Sequence, residues 1–235
     1  MPTLPAQTTQ AHPQQGNAGS IVLASTSPRR RELLAQLGLQ FSAIDPGIED
    51  ADLQPGQVSL PQWVASLSWL KAAAGAAKLG HPLGHRSNQH TPGDLLIIAA
   101  DTLVQTQGQI LSKPANADDA ASMIRQIRGR SHQVHTGLTL LDPINGARQV
   151  CADCAQVDVG DISDHAISLY VASGQWKGKS GGYNLAERIS AGWPITVVGD
   201  PATVMGLPIA RLRTLLPAFI AASARGAGAG GGPWA

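Results

Sequence analysis

The chain has 235 residues, enough for one sizeable domain or two small lobes that share a core. Its apolar fraction of 43% is ordinary for a globular protein, and 17 Lys and Arg against 16 Asp and Glu leave a formal net charge of +1. That balance disfavours a duplex nucleic-acid binder, which needs a basic excess, and no run of about 18 apolar residues is present to span a membrane.

Residues 1–19 are rich in Gln, Pro, Thr and Ala and lack the apolar stretch of a signal peptide, so they read as a disordered lead-in. Ile21 to Ala24 is an apolar, partly β-branched run and reads as a buried strand. Ser25, Thr26 and Ser27 form a short polar loop. Pro28 suits the first turn of a helix, with Ser27 as its N-cap. The next three residues, Arg29, Arg30 and Arg31, oppose a local preference, because the positive end of a helix dipole favours Asp or Glu. Guanidinium groups crowded beside free backbone N–H groups repel one another unless an anion sits among them, and hydroxyls with arginines at a helix N-terminus suit a phosphate chain. The plain alternative is a solvated basic turn.

Gly38 follows this helix as a C-cap candidate, Phe41 to Ile44 reads as a short strand, and Asp45-Pro-Gly47 as a turn. Ser59 to Leu79 reads as a long helix ended by Gly80. His81 to Gly93 holds three histidines, His81, His85 and His90, on a segment with nothing regular to fix them, so an inserted surface loop is preferred over a metal site. Leu95 to Ala100 is a continuous apolar run, expected to be a central strand with Asp101 just past its end. Asn116 to Arg128 is a helix by its cap and spacing, and Gln133 to Leu141 pairs with Arg148 to Val159 around a turn. Ser163 to Ser173 is a further helix and Trp193 to Val198 is strand-like. Thr203 to Met205 is too short to assign, and Pro208 to Ala222 is a last helix, expected to be interrupted at Pro217. The Gly/Ala-rich residues 221–235 read as a loose tail. Cys151 and Cys154 lie three apart on a strand and so face opposite ways, which argues for ordinary thiols in a reducing cytoplasm rather than a redox or zinc pair. The alternation of strands and helices with a hairpin predicts an α/β fold: a mixed sheet flanked by helices.

Several residues carry chemistry. Asp101 is a carboxylate set against an apolar strand, costly to bury unless paired or metal-bound, and a strand end is where α/β proteins place their sites. It is a candidate base or metal ligand, with a turn aspartate as the alternative. Lys113, in Leu111-Ser-Lys-Pro114, is a positive charge on an extended segment. His132 and His135 face opposite ways on their strand and should not act as one site. Gly178-Lys-Ser180 ends like a phosphate-binding P-loop, but Ser173 stands where its first glycine belongs and a helix, not a strand, precedes it.

The opening motif Ser25-x-Ser-Pro-Arg-Arg-x-Glu-Leu-Leu34 resembles that of the Maf family of nucleoside triphosphate pyrophosphatases. Ala100-Asp-Thr-x-Val104, Lys113-Pro, the Gly129 to Gly137 strand, Lys179-x-x-x-Tyr183 and Val204-x-Gly-Leu-Pro208 follow in the family's order, so the resemblance runs from about Ile21 to about Leu212. It implies a Maf/ITPase-like two-lobed mixed sheet with a central cleft, spanning 20–220. It implies hydrolysis of a nucleoside triphosphate between the α and β phosphates, with Asp101 as catalytic base. Ser25, Ser27, Arg29, Arg30, Lys71, Lys113 and Lys179 would contact substrate, and Thr102 falls where the family has a residue linked to base selectivity. Asp101 and Glu49 would hold a divalent cation, Mg²⁺ or Mn²⁺, and a homodimer is implied. The lysine version of the third motif resembles members selective for thymidine and uridine triphosphates. The chain departs where the family has Gly-Ile-Gln, with Asn184-Leu-Ala186 here; Glu187 or Asn184 is left to substitute for the glutamine. The alternative is a non-catalytic nucleotide-binding regulator of cell division. A single-stranded nucleic-acid binder is disfavoured by the scarcity of Phe and Tyr for stacking.

Overall fold

The computed structural model describes residues 20–48, 53, 55–82 and 91–225. Glu49, His85, His90, the lead-in 1–19 and most of the tail lie outside the described residues. The elements in chain order are β1 (Ser20–Ala24), α1 (Pro28–Ala35), β2 (Phe41–Ile44), α2 (Leu60–Lys78), β3 (Leu95–Thr106), β4 (Gln109–Leu111) and α3 (Ala117–Ile127). There follow β5 (Arg130–Leu141), β6 (Arg148–Val159), α4 (Asp164–Ala172), a 3₁₀ turn (Ser180–Gly182), α5 (Leu185–Ser190), β7 (Ile195–Val198), α6 (Pro201–Val204) and α7 (Ile209–Ala224).

The strands form one mixed sheet in the order β2-β1-β3-β5-β6-β7, with β4 pairing β3. β2, β1 and β3 run parallel; β5, β6 and β7 are antiparallel neighbours, and β4 is antiparallel to β3. This is the expected α/β arrangement. Three expectations change in detail. β3 does not stop before Asp101 but continues to Thr106, so the carboxylate lies inside the strand. α7 runs unbroken through Pro217 to Ala224. Pro217 is on the exposed side of that helix, where water can serve the carbonyl left without a partner. The short α6, β4 and α5 were not read from the sequence.

The alternation of β3 divides the sheet into two faces. Leu96, Ile98 and Ala100 join Leu33 and Leu34 of α1 and Leu212 and Phe219 of α7 in one core. Val104, farther along the same face, belongs to a second core with Ile124 and Ile127 of α3, Ile167 of α4 and Trp193. Thr102, Thr136 and Asp153 are register partners across β3, β5 and β6 and form a polar row between these two cores. The row is bonded: the Thr102 and Thr136 hydroxyls lie 2.9 Å apart, Thr136 donates to the Thr203 carbonyl at 2.8 Å, and Thr203 donates to the Asp153 carboxylate at 2.5 Å. The two lobes anticipated from the sequence are these two cores, with the polar row as their boundary.

The other face is covered by α2, which packs against β1, β3, β5 and β6. Ala72 and Ala76 pack there on Val22, Ala24, Ile97 and Ala99. Gly137 sets how closely α2 can approach. It is the register partner of Asp101 on β5, and a Cβ built on it would come 2.0 Å from the Val64 carbonyl oxygen of α2. Farther along the same helix, Ser68 meets Thr139 at 2.8 Å between hydroxyl oxygens. Gly137→Ala would therefore push α2 off the sheet, and its unfolding free energy in a denaturant titration is expected to fall by roughly 1–3 kcal/mol.

Candidate active site

Four segments meet at one place on β3. Its pairing with β1 ends at Leu23↔Ile98, and its pairing with β4 begins at Val104↔Leu111. Residues 99–103 thus lack a strand on that side, which leaves a notch in the sheet edge with Asp101 and Thr102 at its centre. The Thr102 carbonyl points into the notch and accepts from the Ser180 hydroxyl at 3.2 Å.

The loop after β1 forms one wall. Ser25 is buried, and its Oγ accepts from the Ser27 N–H at 3.2 Å and from Arg30 Nη1 at 3.4 Å. Ser27 caps α1 as expected, its Oγ accepting from the Arg30 N–H at 3.4 Å. The arginines separate by direction. Arg30 reaches Thr102 Oγ1 through Nη2 at 3.1 Å and the Gly206 carbonyl through Nε at 2.7 Å. Gly206 has a left-handed φ of 101°, and a Cβ there would crowd both Arg30 Nε and Thr102 Oγ1 at 3.3 Å. That is the physical content of the Val204-x-Gly-Leu-Pro208 segment. Arg29 points toward the second core and pairs with Glu187 Oε1 at 3.5 Å, while Arg31 is exposed.

Glu187 is the centre of the opposite wall. Its Oε2 accepts from Lys179 Nζ at 2.6 Å, and Oε1 also accepts from the Asn184 side-chain amide. Partial burial pushes the Glu187 carboxyl up, but the hydrogen bond and charge of Lys179, with Asn184 and Arg29, outweigh it and hold the group below the usual carboxylate range. Asn184 in turn caps α5 by accepting from the Glu187 N–H at 3.4 Å. An Asn three residues before a Glu is a capping-box spacing, and it was the sequence signal available for both α5 and this pair.

On the other face of the sheet, Asp101 forms an ion pair with Lys71 of α2, both buried. Asp101 and Thr102 are consecutive residues on opposite faces, so the notch joins what the sheet would otherwise separate. Lys113 is exposed on the loop after β4, whose Ser112 carbonyl accepts the Gly181 N–H at 3.0 Å. The structure thus brings Ser25, Ser27, Arg30 and Thr102 into one cluster, Arg29 and Lys179 into a second and Lys71 and Asp101 into a third, all bordering residues 99–103. Glu49, the other expected metal ligand, falls outside the described residues. Among those that are described, no group of three or more His, Cys, Asp or Glu side chains is placed to hold a metal ion.

The histidines and cysteines divide as expected. His132 Nε2 lies 2.7 Å from the Tyr183 hydroxyl in the second core, while His135 faces the other way, 3.8 Å from the Cys154 sulfur. Cys151 is buried and Cys154 exposed, both free thiols.

The notch in the sheet edge is thus bordered by arginine, lysine and hydroxyl groups and backed by a buried carboxylate, on a mixed α/β sheet. The model of the Maf-like protein family matches residues 20–219. A dTTP/UTP pyrophosphatase of Pelotomaculum thermopropionicum is 38% identical over 199 residues, covering 85% of this chain and 96% of that protein. A dTTP/UTP pyrophosphatase of Escherichia coli O157:H7 is 38% identical over 202 residues, covering 85% of this chain and 93% of its own length. Among solved structures, a nucleoside-triphosphatase (dITP/XTP pyrophosphatase) of Mycobacterium abscessus aligns over 61% of this chain and 75% of its own, with 15% identity and a TM-score of 0.34. The chain belongs to the Maf family.

His132 meets the Tyr183 hydroxyl in the second core, and its environment makes that contact sensitive to acid. Burial, partly opposed by the charge of Asp158, pulls the imidazole down from 6.5 to about 4. The unfolded chain therefore binds a proton that the folded chain refuses between those values. The stability tied to neutral His132 is complete above about pH 6.5 and is lost as pH falls toward 4, roughly 3 kcal/mol in all. Denaturant titrations across that window should show a shallower pH slope for His132→Gln than for the unmodified protein.

Proposed function

We propose that the notch binds a nucleoside triphosphate and that the protein hydrolyses it between the α and β phosphates, releasing a nucleoside monophosphate and pyrophosphate. The observation that carries this reading is the buried Asp101–Lys71 pair at the strand edge, one residue from the Thr102 that the arginine-bearing loop grips. The two relatives named dTTP/UTP pyrophosphatase support the same reaction class and make dTTP and UTP the first substrates to test.

In this reading the phosphate chain lies across the notch. Ser25, Ser27 and the first N–H groups of α1 hold phosphate oxygens. Arg29, Lys179 and Lys113 neutralise the phosphate chain and the charge that develops on it as the pyrophosphate leaves, the usual source of rate in phosphoryl chemistry. Arg30 holds Thr102 in place as well as adding positive potential. Asp101 accepts the proton of the attacking water, and Lys71 holds that carboxylate in place. The base would lie toward Thr102 and the Asn184–Glu187 segment.

A divalent cation fits this donor set in a limited way. Asp101 offers a hard carboxylate oxygen, and Mg²⁺ or Mn²⁺ is commonly held by one or two carboxylates with substrate phosphates and water completing the shell. When bound, the ion would neutralise phosphate charge and polarise the scissile bond. Glu49 is the proposed second ligand.

Product analysis tests the reading. With Mg²⁺ or Mn²⁺ and a panel of triphosphates, the expected products are monophosphate and pyrophosphate. Diphosphate with inorganic phosphate would place the cut in another register, and no turnover would return the non-catalytic alternative. Asp101→Asn keeps an oxygen for Lys71 and is expected to remain folded by thermal melting while kcat falls about 10²- to 10⁴-fold. Unchanged turnover would remove Asp101 from the mechanism.

A further inference from the structure

Glu187 puts a negative charge where the proposed reaction needs positive ones. Its two carboxylate oxygens engage Arg29 and Lys179, the two cations that bound the notch on the side of the second core. The Glu187 side chain is 40% exposed, whereas those of Arg29 and Lys179 are 25% and 20% exposed. The carboxylate is therefore the most accessible of the three and is held ionised by its neighbours. It also links the lobes: Arg29 stands on α1, packed against the first core, and Glu187 on α5, packed against the second.

We propose that Glu187 is an internal anion that makes the site select by phosphate number: a ligand must displace its carboxylate from Arg29 and Lys179 in order to bind. This deepens the proposed function and rests on Arg29 and Lys179 being phosphate ligands. A triphosphate can offset the displacement, because its remaining phosphates reach Ser25, Ser27, the α1 N-terminus and Lys113. A nucleoside monophosphate, with a single phosphate, has fewer such contacts to compensate for the lost ion pairs and for repulsion from the nearby carboxylate. The same asymmetry favours product departure, since the Glu187 carboxylate returns to its cations once the chain is cut. The Asn184 amide and the α5 cap guide that return, so the cations are not left unpaired in a half-buried site.

The test uses calorimetric binding, which does not need turnover, with uridine monophosphate and inorganic pyrophosphate as probes. Glu187→Gln keeps the size and an acceptor oxygen but removes the charge. It is expected to tighten uridine monophosphate binding about tenfold and to lower KM for the triphosphate less than that. Glu187→Asp retains the charge and is expected to bind uridine monophosphate as weakly as the unmodified protein. Unchanged or weaker binding in Glu187→Gln, or equal tightening in both variants, would overturn the proposal. Arg29→Ala separates the two readings. Loss of pyrophosphate binding in that variant upholds Arg29 as a phosphate ligand, so a failure of Glu187→Gln then falls on the internal-anion proposal alone. Unchanged pyrophosphate binding in Arg29→Ala overturns both.

Discussion

Because β3 runs for 12 residues beside a β1 of only 5, the sheet has a place where a central strand is bare on one side. A parallel strand as long as β3 would have closed that edge and hidden Asp101 and Thr102 behind backbone hydrogen bonds. Instead β1 ends and the chain turns through Ser25–Ser27 into α1, while β4 resumes pairing only at Val104. Backbone groups on an unpaired edge must find other partners. One is satisfied by the Ser180 hydroxyl on the Thr102 carbonyl, and the opening that remains is where charged side chains from four segments converge. The mismatch also leaves Asp101 and Thr102, consecutive residues on opposite sheet faces, on the same unpaired stretch of strand.

The constraint on the α2 face is of a different kind. A carboxylate and an ammonium are both buried there as an ion pair, and breaking such a buried pair by removing one partner typically costs about 3–5 kcal/mol. Such a pair is weak evidence for stability, because a matched apolar pair would often serve as well. The geometry depends on backbone as much as on charge: the missing side chain at Gly137 lets α2 settle directly over the Asp101 rung, and Lys71 is seven residues along the helix from the Val64 carbonyl that fills the space. A lysine stem lying on the small residues of α2 can then bring its ammonium down to the strand.

Much of this was legible in the sequence, and the omissions have physical reasons. The apolar runs of β1 and β3, the Ser27 cap and the Asn116 cap are local signals, and each produced the expected element. The arginine run was legible as a broken rule, but its resolution was not: Glu187 answers Arg29 from 158 residues away. The local pattern puts Asp101 at a strand end, because a carboxylate terminates an apolar run. The partner that allows the strand to continue through it, Lys71, sits on another element and leaves no trace in the local pattern. The polar row of Thr102, Thr136 and Asp153 likewise arises only from register across three strands. Pro217, expected to interrupt the last helix, does not break α7, because it stands on the exposed side of that helix, where water can serve the carbonyl left unpaired.

Arg30 shows why composition alone misjudges such a site. As a free guanidinium it would count as one more phosphate ligand, yet its Nε and Nη groups are directed to Gly206, Ser25 and Thr102. It ties the loop after β1 to the turn before α7 and to the polar row that divides the cores. Its planar fork suits that work, because several donors in fixed relation can hold a carbonyl and two hydroxyls at once, which a lysine cannot. The arginine cluster thus divides its labour within one helical turn. Arg30 sets the spacing of the walls, Arg29 presents charge to the far wall, and Arg31 faces solvent. The positive charge presented at the notch is consequently smaller than the count of basic residues suggests, because Arg29 and Lys179 share Glu187.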